Sequence, residues 1–264
     1  MIGEVLRREV ATGRVTPYRG HHSLRSLAHV ALDAAAETLW PTRCVSCDMP
    51  GELLCAECRA QMPWIAQRWA CPTCGAPFGW LTCTGCEGDW EPRAVVCALG
   101  FGQISSQMVA CLKDQNELRL APVNAAAMAC ALDEARSWLA SDGRPRFDPD
   151  ETDAICFVPA TAQACIRRGF DHMELVSREL SVLLDMPLAD VLKRGSSQDQ
   201  RSLDKGERAR NLSGTVDVIE DVAGMRLLLV DDVVTTGASL RESTRALLAR
   251  GAASVTCCAL TRVW

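Results

Sequence analysis

Residues 226 to 240 read "RLLLVDDVVTTGASL". An apolar run meets two adjacent aspartates, then valines, threonines and a glycine. The apolar run predicts a buried strand. Ser239 and Leu240 open the helical pattern "SLRESTRALLARG" at 239 to 251, which stops on a glycine. A strand, a tight turn and a helix N-terminus present free amides, hydroxyls and the positive end of a dipole. Together these suit a phosphate. Gly237 lets the backbone approach closely. Thr235, Thr236 and Ser239 add hydroxyl groups. Two like charges side by side repel, so Asp231 and Asp232 need donors or hydroxyls to offset them. A ribose diol would do so, and the stretch is shaped for a phosphorylated ribose.

Around this unit, strands and helices alternate. "AVVCALGFG" (94–102) reads as a strand and residues 107 to 140 as one helical run. "AICFVPA" (154–160) reads as a strand, "HMELVSRELSVLLD" (172–185) as a helix, and "MPLADVLKR" (186–194) as an extended edge. "MRLLLV" (225–230) and "SVTCCAL" (254–260) are strands. This order predicts an α/β fold with a parallel sheet flanked by helices. Ligands of such sheets bind beyond the carboxyl ends of strands, where Asp231 and Asp232 are expected. Pro159 follows a strand, as a tight loop for pyrophosphate requires. Residues 193 to 214 carry Lys193, Arg194, Arg201, Lys205, Arg208 and Arg210 against three acids. That basic loop would make a lid over a pyrophosphate.

Residues 41 to 92 differ in kind. They have few aliphatic residues and four tryptophans, and they cannot build a core without a staple. Eight of the chain's fifteen cysteines form Cys44-x-x-Cys47, Cys55-x-x-Cys58, Cys71-x-x-Cys74 and Cys83-x-x-Cys86. A two-residue gap turns both thiolates of a knuckle toward one tetrahedral ion, and zinc is the usual occupant. Sequential pairing joins Cys44, Cys47, Cys55 and Cys58 around one ion and Cys71, Cys74, Cys83 and Cys86 around the other. A cross-braced pairing would exchange the middle knuckles. The short gaps within each half favour the sequential arrangement. Four thiolates leave no open coordination position, so both zinc ions are expected to be structural. The other seven cysteines lie in apolar segments and read as buried core residues.

The division expected is an N-terminal tail and amphipathic helix over 1–40, a double zinc ribbon over 41–92, and a larger α/β unit over 93–264. Leu24, Leu27, Ala28, Ala31, Ala34, Ala35 and Leu39 form the helical stripe of the first part. If the parts are independent, substituting Cys71 should unfold the small unit and leave the larger one able to bind its ligand.

The composition is that of an ordinary globular chain, with net charge -5. That balance excludes a global attraction to nucleic acid or anionic membrane. No apolar stretch is long enough to span a bilayer. The start, "MIGEVLRREVATGRVTPYRG", lacks the apolar middle of a secretory signal. A cytoplasmic location without membrane insertion is therefore expected.

"LLLVDDVVTTGAS" (227–239) resembles the 5-phosphoribosyl-1-pyrophosphate motif of type I phosphoribosyltransferases throughout its length. With the four cysteine knuckles, "VPATAQACIRRGFDH" (158–172) and "QRSLDKGERARNLSG" (200–214), residues 23 to 264 resemble the ComF family of competence-associated proteins. Arg168, Gly169 and Phe170 match the start of the family's "RGFNQ"-like stretch, while Asp171 and His172 depart from it. Gln200, Arg208 and Asn211 match a "Q…R…N" pattern. Lys113 matches a family lysine, here followed by Asp114 in place of tyrosine.

The resemblance implies a type I phosphoribosyltransferase-like sheet preceded by zinc ribbons, with phosphoribosyl pyrophosphate and magnesium as ligands. Asp231 and Asp232 would fix the ribose. Val233, Val234, Thr235, Thr236, Gly237, Ala238 and Ser239 would form the phosphate turn. Pro159, Arg168, Arg201 and Arg208 would meet the pyrophosphate. It also implies a part in DNA uptake, with single-stranded DNA or a competence helicase as partner. The alternative is an active transferase that joins the phosphoribosyl group to a nitrogen acceptor.

Overall fold

The computed structural model describes residues 41–86, 90–194 and 216–264. The amphipathic stripe at 23–39 lies outside the described residues. So does most of the basic loop, including Arg201 and Arg208.

Four strands form the central sheet. They are β1 (Ala94–Gly100), β2 (Ala154–Phe157), β5 (Arg226–Val234) and β6 (Ser254–Arg262). Their order is β1-β6-β5-β2 and every pairing is parallel. All residues of β1 and β2 are buried. Helices cover both faces of such a sheet, so its strands read as unbroken apolar runs. A short antiparallel ribbon pairs β3 (Leu192–Arg194) with β4 (Val216–Val218).

Side chains alternate across β5 and divide the core in two. Leu228 and Val230 face α2 (Gln103–Asp114), α3 (Leu120–Ala135) and α5 (His172–Leu184). Leu227 and Leu229 face the ribbon and α6 (Ala238–Ala249). The two cysteine knuckle pairs divide in the same way. Cys44 and Cys58 join the first core, with the short α1 (Ala56–Ala60) between the knuckles. Cys71, Cys74 and Ala76 pack with Trp90, which also touches the second core.

The structure departs from the sequence reading in three places. The single helical run expected over 107 to 140 is two helices, α2 and α3. Asn116 adopts a left-handed φ of 58° between them, a conformation in which asparagine is tolerated. An unassigned helix, α4 (Ala162–Arg168), stands in "VPATAQACIRRGFDH". Thr161 caps it by accepting from the Ala164 amide, and Gly169 ends it at φ 82°. Finally, β5 runs past both aspartates. Val233 and Val234 pair with Thr261 and Arg262 of β6, as β-branched residues readily do. The aspartates therefore lie within the strand, and the turn starts at Thr235.

Candidate phosphoribosyl site and cysteine centres

Because Asp231 and Asp232 are consecutive in a strand, they point to opposite faces. Asp232 faces the helices. Its Oδ2 accepts from Lys113 Nζ of α2 at 2.9 Å and from His172 Nε2 of α5 at 2.9 Å. Its Oδ1 accepts from the Val233 amide at 2.7 Å. Arg168 Nη1 lies 2.9 Å from His172 Nδ1. A guanidinium only donates, so Nδ1 accepts and the imidazole proton sits on Nε2, aimed at Asp232. A chain of contacts thus runs Arg168, His172, Asp232, Lys113, drawn from three helices and β5.

This arrangement answers the repulsion problem. Burial pushes Asp232 up, but the hydrogen bond from His172 and the charge of Lys113 outweigh it and hold this carboxyl well below the usual range. Asp231 is buried on the other face. Burial first, and the Asp232 charge second, push it well above the usual carboxylate value. One carboxyl is held ionised while its neighbour favours the proton.

The linkage sign for Asp232 follows from its depressed folded value. Its stabilisation is fully present above the unfolded value of about 3.9 and fades as pH falls through the folded one. Lys113→Met is expected to reduce stability by about 1–3 kcal/mol at neutral pH, the cost of leaving a buried carboxylate short of a donor. The deficit should shrink below about pH 4, as Asp232 of the variant, without Lys113 to keep it ionised, takes up a proton before that of the parent. Urea unfolding across pH would show it, and a deficit constant down to pH 2 would count against the pairing.

Asp171 organises the loop before these residues. Its Oδ2 accepts from the Ala160 amide at 2.7 Å and its Oδ1 from the Met173 amide at 2.9 Å. One carboxylate thereby caps α5 and fixes the loop that holds Pro159. Val158 joins the same loop to β5 by donating to the Val230 carbonyl at 2.9 Å.

The turn after β5 has the expected form. Gly237 is left-handed at φ 75° and caps α6 without any side-chain hydrogen bond. The Ala238 amide donates to Thr236 Oγ1 at 3.4 Å, and the first turn of α6 points its amides to where an anion could bind. Thr235, Thr236 and Ala238 are exposed. Arg194, at the end of β3, donates to Ser239 Oγ at 3.2 Å. A Cβ built on Gly237 would lie 2.2 Å from the ring of Trp90. Glycine is required there on two counts, its left-handed φ and the ring above it.

The structure brings the expected residues Asp231, Asp232, Arg168 and Lys113 together, with the turn residues 235 to 239 following β5. Val233 and Val234 belong to the strand, so what they offer the site is backbone. The sequence missed three contributors. Arg194 was one basic residue among several in its stretch. Arg262 gave a faint signal, an arginine within the apolar run "CCALTRVW". Trp90 could not be told from the other tryptophans.

The cysteines gather as the sequential pairing requires. Cys44, Cys47, Cys55 and Cys58 form one group, and Cys71, Cys74, Cys83 and Cys86 the other. Within each group the ligand atoms all lie within 4.8 Å of one another. The Sγ atoms of Cys47 and Cys55, Cys71 and Cys86, and Cys74 and Cys83 stand 3.4 to 3.6 Å apart, near the ~3.8 Å edge of a tetrahedron with Zn–S bonds of about 2.3 Å. Amides of Cys55, Cys58 and Gly85 donate to sulfurs. The thiols also compete for protons. The hydrogen bond from Cys74 draws Cys71 down to about 4, while burial pushes Cys86 up to about 12. A divalent cation would release that competition. The residues fit two structural zinc ions.

Comparison with known proteins agrees with both halves. Residues 164–263 match the phosphoribosyl transferase domain and residues 35–90 the double zinc ribbon domain. The DNA utilization protein YhgH of Salmonella typhi is 30% identical over 225 residues, which span 81% of this chain and 94% of that protein. The chain belongs to the ComF family. Two further relatives of this ComF-family chain carry competence names. Competence protein ComFC of Bacillus subtilis is 28% identical over 81% of this chain and 85% of its own length. Competence protein F of Haemophilus influenzae is 33% identical over 42% of this chain and 50% of its own. Among the described residues of the ComF-family chain, no helix is long and apolar enough to cross a membrane.

Proposed function

We propose that this protein binds phosphoribosyl pyrophosphate or a related phosphoribosyl ligand with magnesium, and serves in the cytoplasm as an accessory factor in DNA uptake. The observation that carries the reading is the turn of exposed Thr235, Thr236 and Ala238 at the N-terminus of α6, following the Asp231–Asp232 pair. Amides and hydroxyls of residues 235 to 239 receive the 5-phosphate. Asp232, and Asp231 once ionised, accept from the ribose hydroxyls. Arg168, with Arg201 and Arg208 outside the described residues, faces the pyrophosphate. Magnesium supplies charge neutralisation of the pyrophosphate. The names of the relatives support the uptake role, with single-stranded DNA or a helicase as the partner. The domains proposed are 1–40, 41–92 and 93–264.

A second reading is a transferase that displaces pyrophosphate from the anomeric carbon with a nitrogen nucleophile. Lys113, Arg168 and Arg194 give it support, as cations close to where a leaving group would depart. Calorimetric titration with phosphoribosyl pyrophosphate and magnesium tests the shared premise, and absence of binding sinks both readings. Arg201→Ala and Arg208→Ala then separate them. In a transferase these changes slow pyrophosphate release more than they weaken binding. In a binding module they weaken attachment to DNA and flatten its salt dependence. Pyrophosphate release over a panel of bases and amines, lost in both variants, would overturn the accessory role.

A further inference from the structure

We infer that Arg262 is a positioning residue that ties the phosphate turn to the filled second cysteine centre, and not to the first. The inference concerns regulation of the site just proposed and rests on that reading.

Arg262 ends β6 and is 3% exposed. Its Nη1 donates to the carbonyls of Val234 and Thr235, the last residue of β5 and the first of the turn, and to that of Val263. Its Nε donates to the Cys74 carbonyl at 3.0 Å. A single buried guanidinium thus holds the backbone of the turn and the backbone of a zinc ligand. A planar fork with fixed donor directions suits that double grip, and a flexible ammonium does not.

Charge points the same way. A buried cation needs a compensating anion. No carboxylate of a described residue lies within ion-pair distance of Arg262. Its Nη2 lies beside the second cysteine group: a Cβ on Gly85 would be 3.3 Å from that nitrogen and 3.8 Å from Cys74 Sγ. Four thiolates around a divalent ion carry a net charge of about −2. When filled, the centre places that charge beside the guanidinium.

Trp90 makes an independent second link. Trp90 packs against the cluster of Cys71, Cys74 and Ala76, and its ring lies over Gly237. Among the described residues, no hydrogen bond or ion pair joins the first centre to the turn. Cys44 and Cys58 belong to the core on the opposite face of the sheet. The two zinc sites therefore differ in kind: the second is part of the wall of the ligand site.

The test uses the full zinc-loaded chain. Arg262→Lys keeps the charge and loses the fork. Gly85→Ala leaves every cysteine in place and crowds Nη2. Three readouts are taken: zinc content, amide hydrogen exchange at residues 235 to 240, and affinity for phosphoribosyl pyrophosphate with magnesium. Expected is unchanged zinc content, exchange in the turn faster by about tenfold or more with α5 unaffected, and affinity lower by about tenfold or more, as loss of a charge-assisted bond implies. Cys83→Ser should loosen the turn likewise, while Cys47→Ser should not. Should Arg262→Lys fail to fold, Gly85→Ala and the cysteine pair still decide. Turn exchange as in the parent protein for both Gly85→Ala and Cys83→Ser overturns the inference. Equal loosening by Cys47→Ser overturns it too. A parent protein that does not bind phosphoribosyl pyrophosphate defeats the ligand reading, while the exchange measurement continues to judge the coupling.

Discussion

Asp231→Asn combined with Asp232→Asn is expected to weaken binding of phosphoribosyl pyrophosphate by roughly two to four orders of magnitude. Each carboxylate offers hydroxyl groups a charge-assisted hydrogen bond worth roughly 1.5–3 kcal/mol. The structure predicts unequal shares. Asp232 is held ionised by Lys113 and His172, so Asp232→Asn alone removes a charge already in place. Asp231 favours its proton, and ligand must first draw that proton away. The single Asp231 change should therefore cost less near neutral pH. Calorimetry on both single variants and the double one reads this directly. Affinity unchanged in the double variant would remove this strand from the ribose site.

Cys71→Ser should be more damaging still. Elemental analysis of the parent protein, purified without added metal, is expected to give two zinc ions per chain. Structural zinc in small ribbons contributes about 10–16 kcal/mol of apparent binding energy to folding. Cys71 and Cys74 are 3% and 0% exposed, and a Cβ on Gly75 would fall 2.5 Å from Cys97 Sγ of β1. The second centre is thus pressed into the sheet. Losing its ion should lower the thermal midpoint of the whole protein and not only of the ribbon. The independence expected from the sequence would instead leave one transition untouched, and a persistent second transition with full ligand binding would favour it. One ion per chain, or iron in place of zinc, would refute the centres as described.

Features held together by residues close in the chain were legible in the sequence, and those joined over long range were not. The cysteine pairing was legible because its ligands are at most fifteen residues apart within each centre, and spacing in a knuckle fixes geometry locally. The strand–turn–helix unit around Gly237 was legible for the same reason. Strand, glycine and helix follow one another in a dozen residues. The Arg168–His172–Asp232–Lys113 chain was not legible as a network, since Lys113 and Asp232 are 119 residues apart. Departure from a family pattern hid it further. His172 takes the place of an amide side chain and still donates toward the aspartate. Arg262 was hidden by burial, because a sequence shows that an arginine interrupts an apolar run but not which carbonyls will satisfy it. The break at Asn116 was missed because helix-forming residues lie on both sides of it.

The order of strands in the sheet bears on how the chain assembles during synthesis. β6 comes last in sequence and lies between β1 and β5. In the central sheet β1 bonds to β6 alone, so its edge has no sheet partner until some 160 further residues have been made. Contacts of such separation form slowly, and exposed strand edges invite association with other chains. A nascent chain that stalls before residue 254 would carry an apolar strand with its inner edge unpaired, the outer edge alone being met by Pro63 to Ile65. Crowded ribosomes and chaperones, more than the ligand, would then decide its fate.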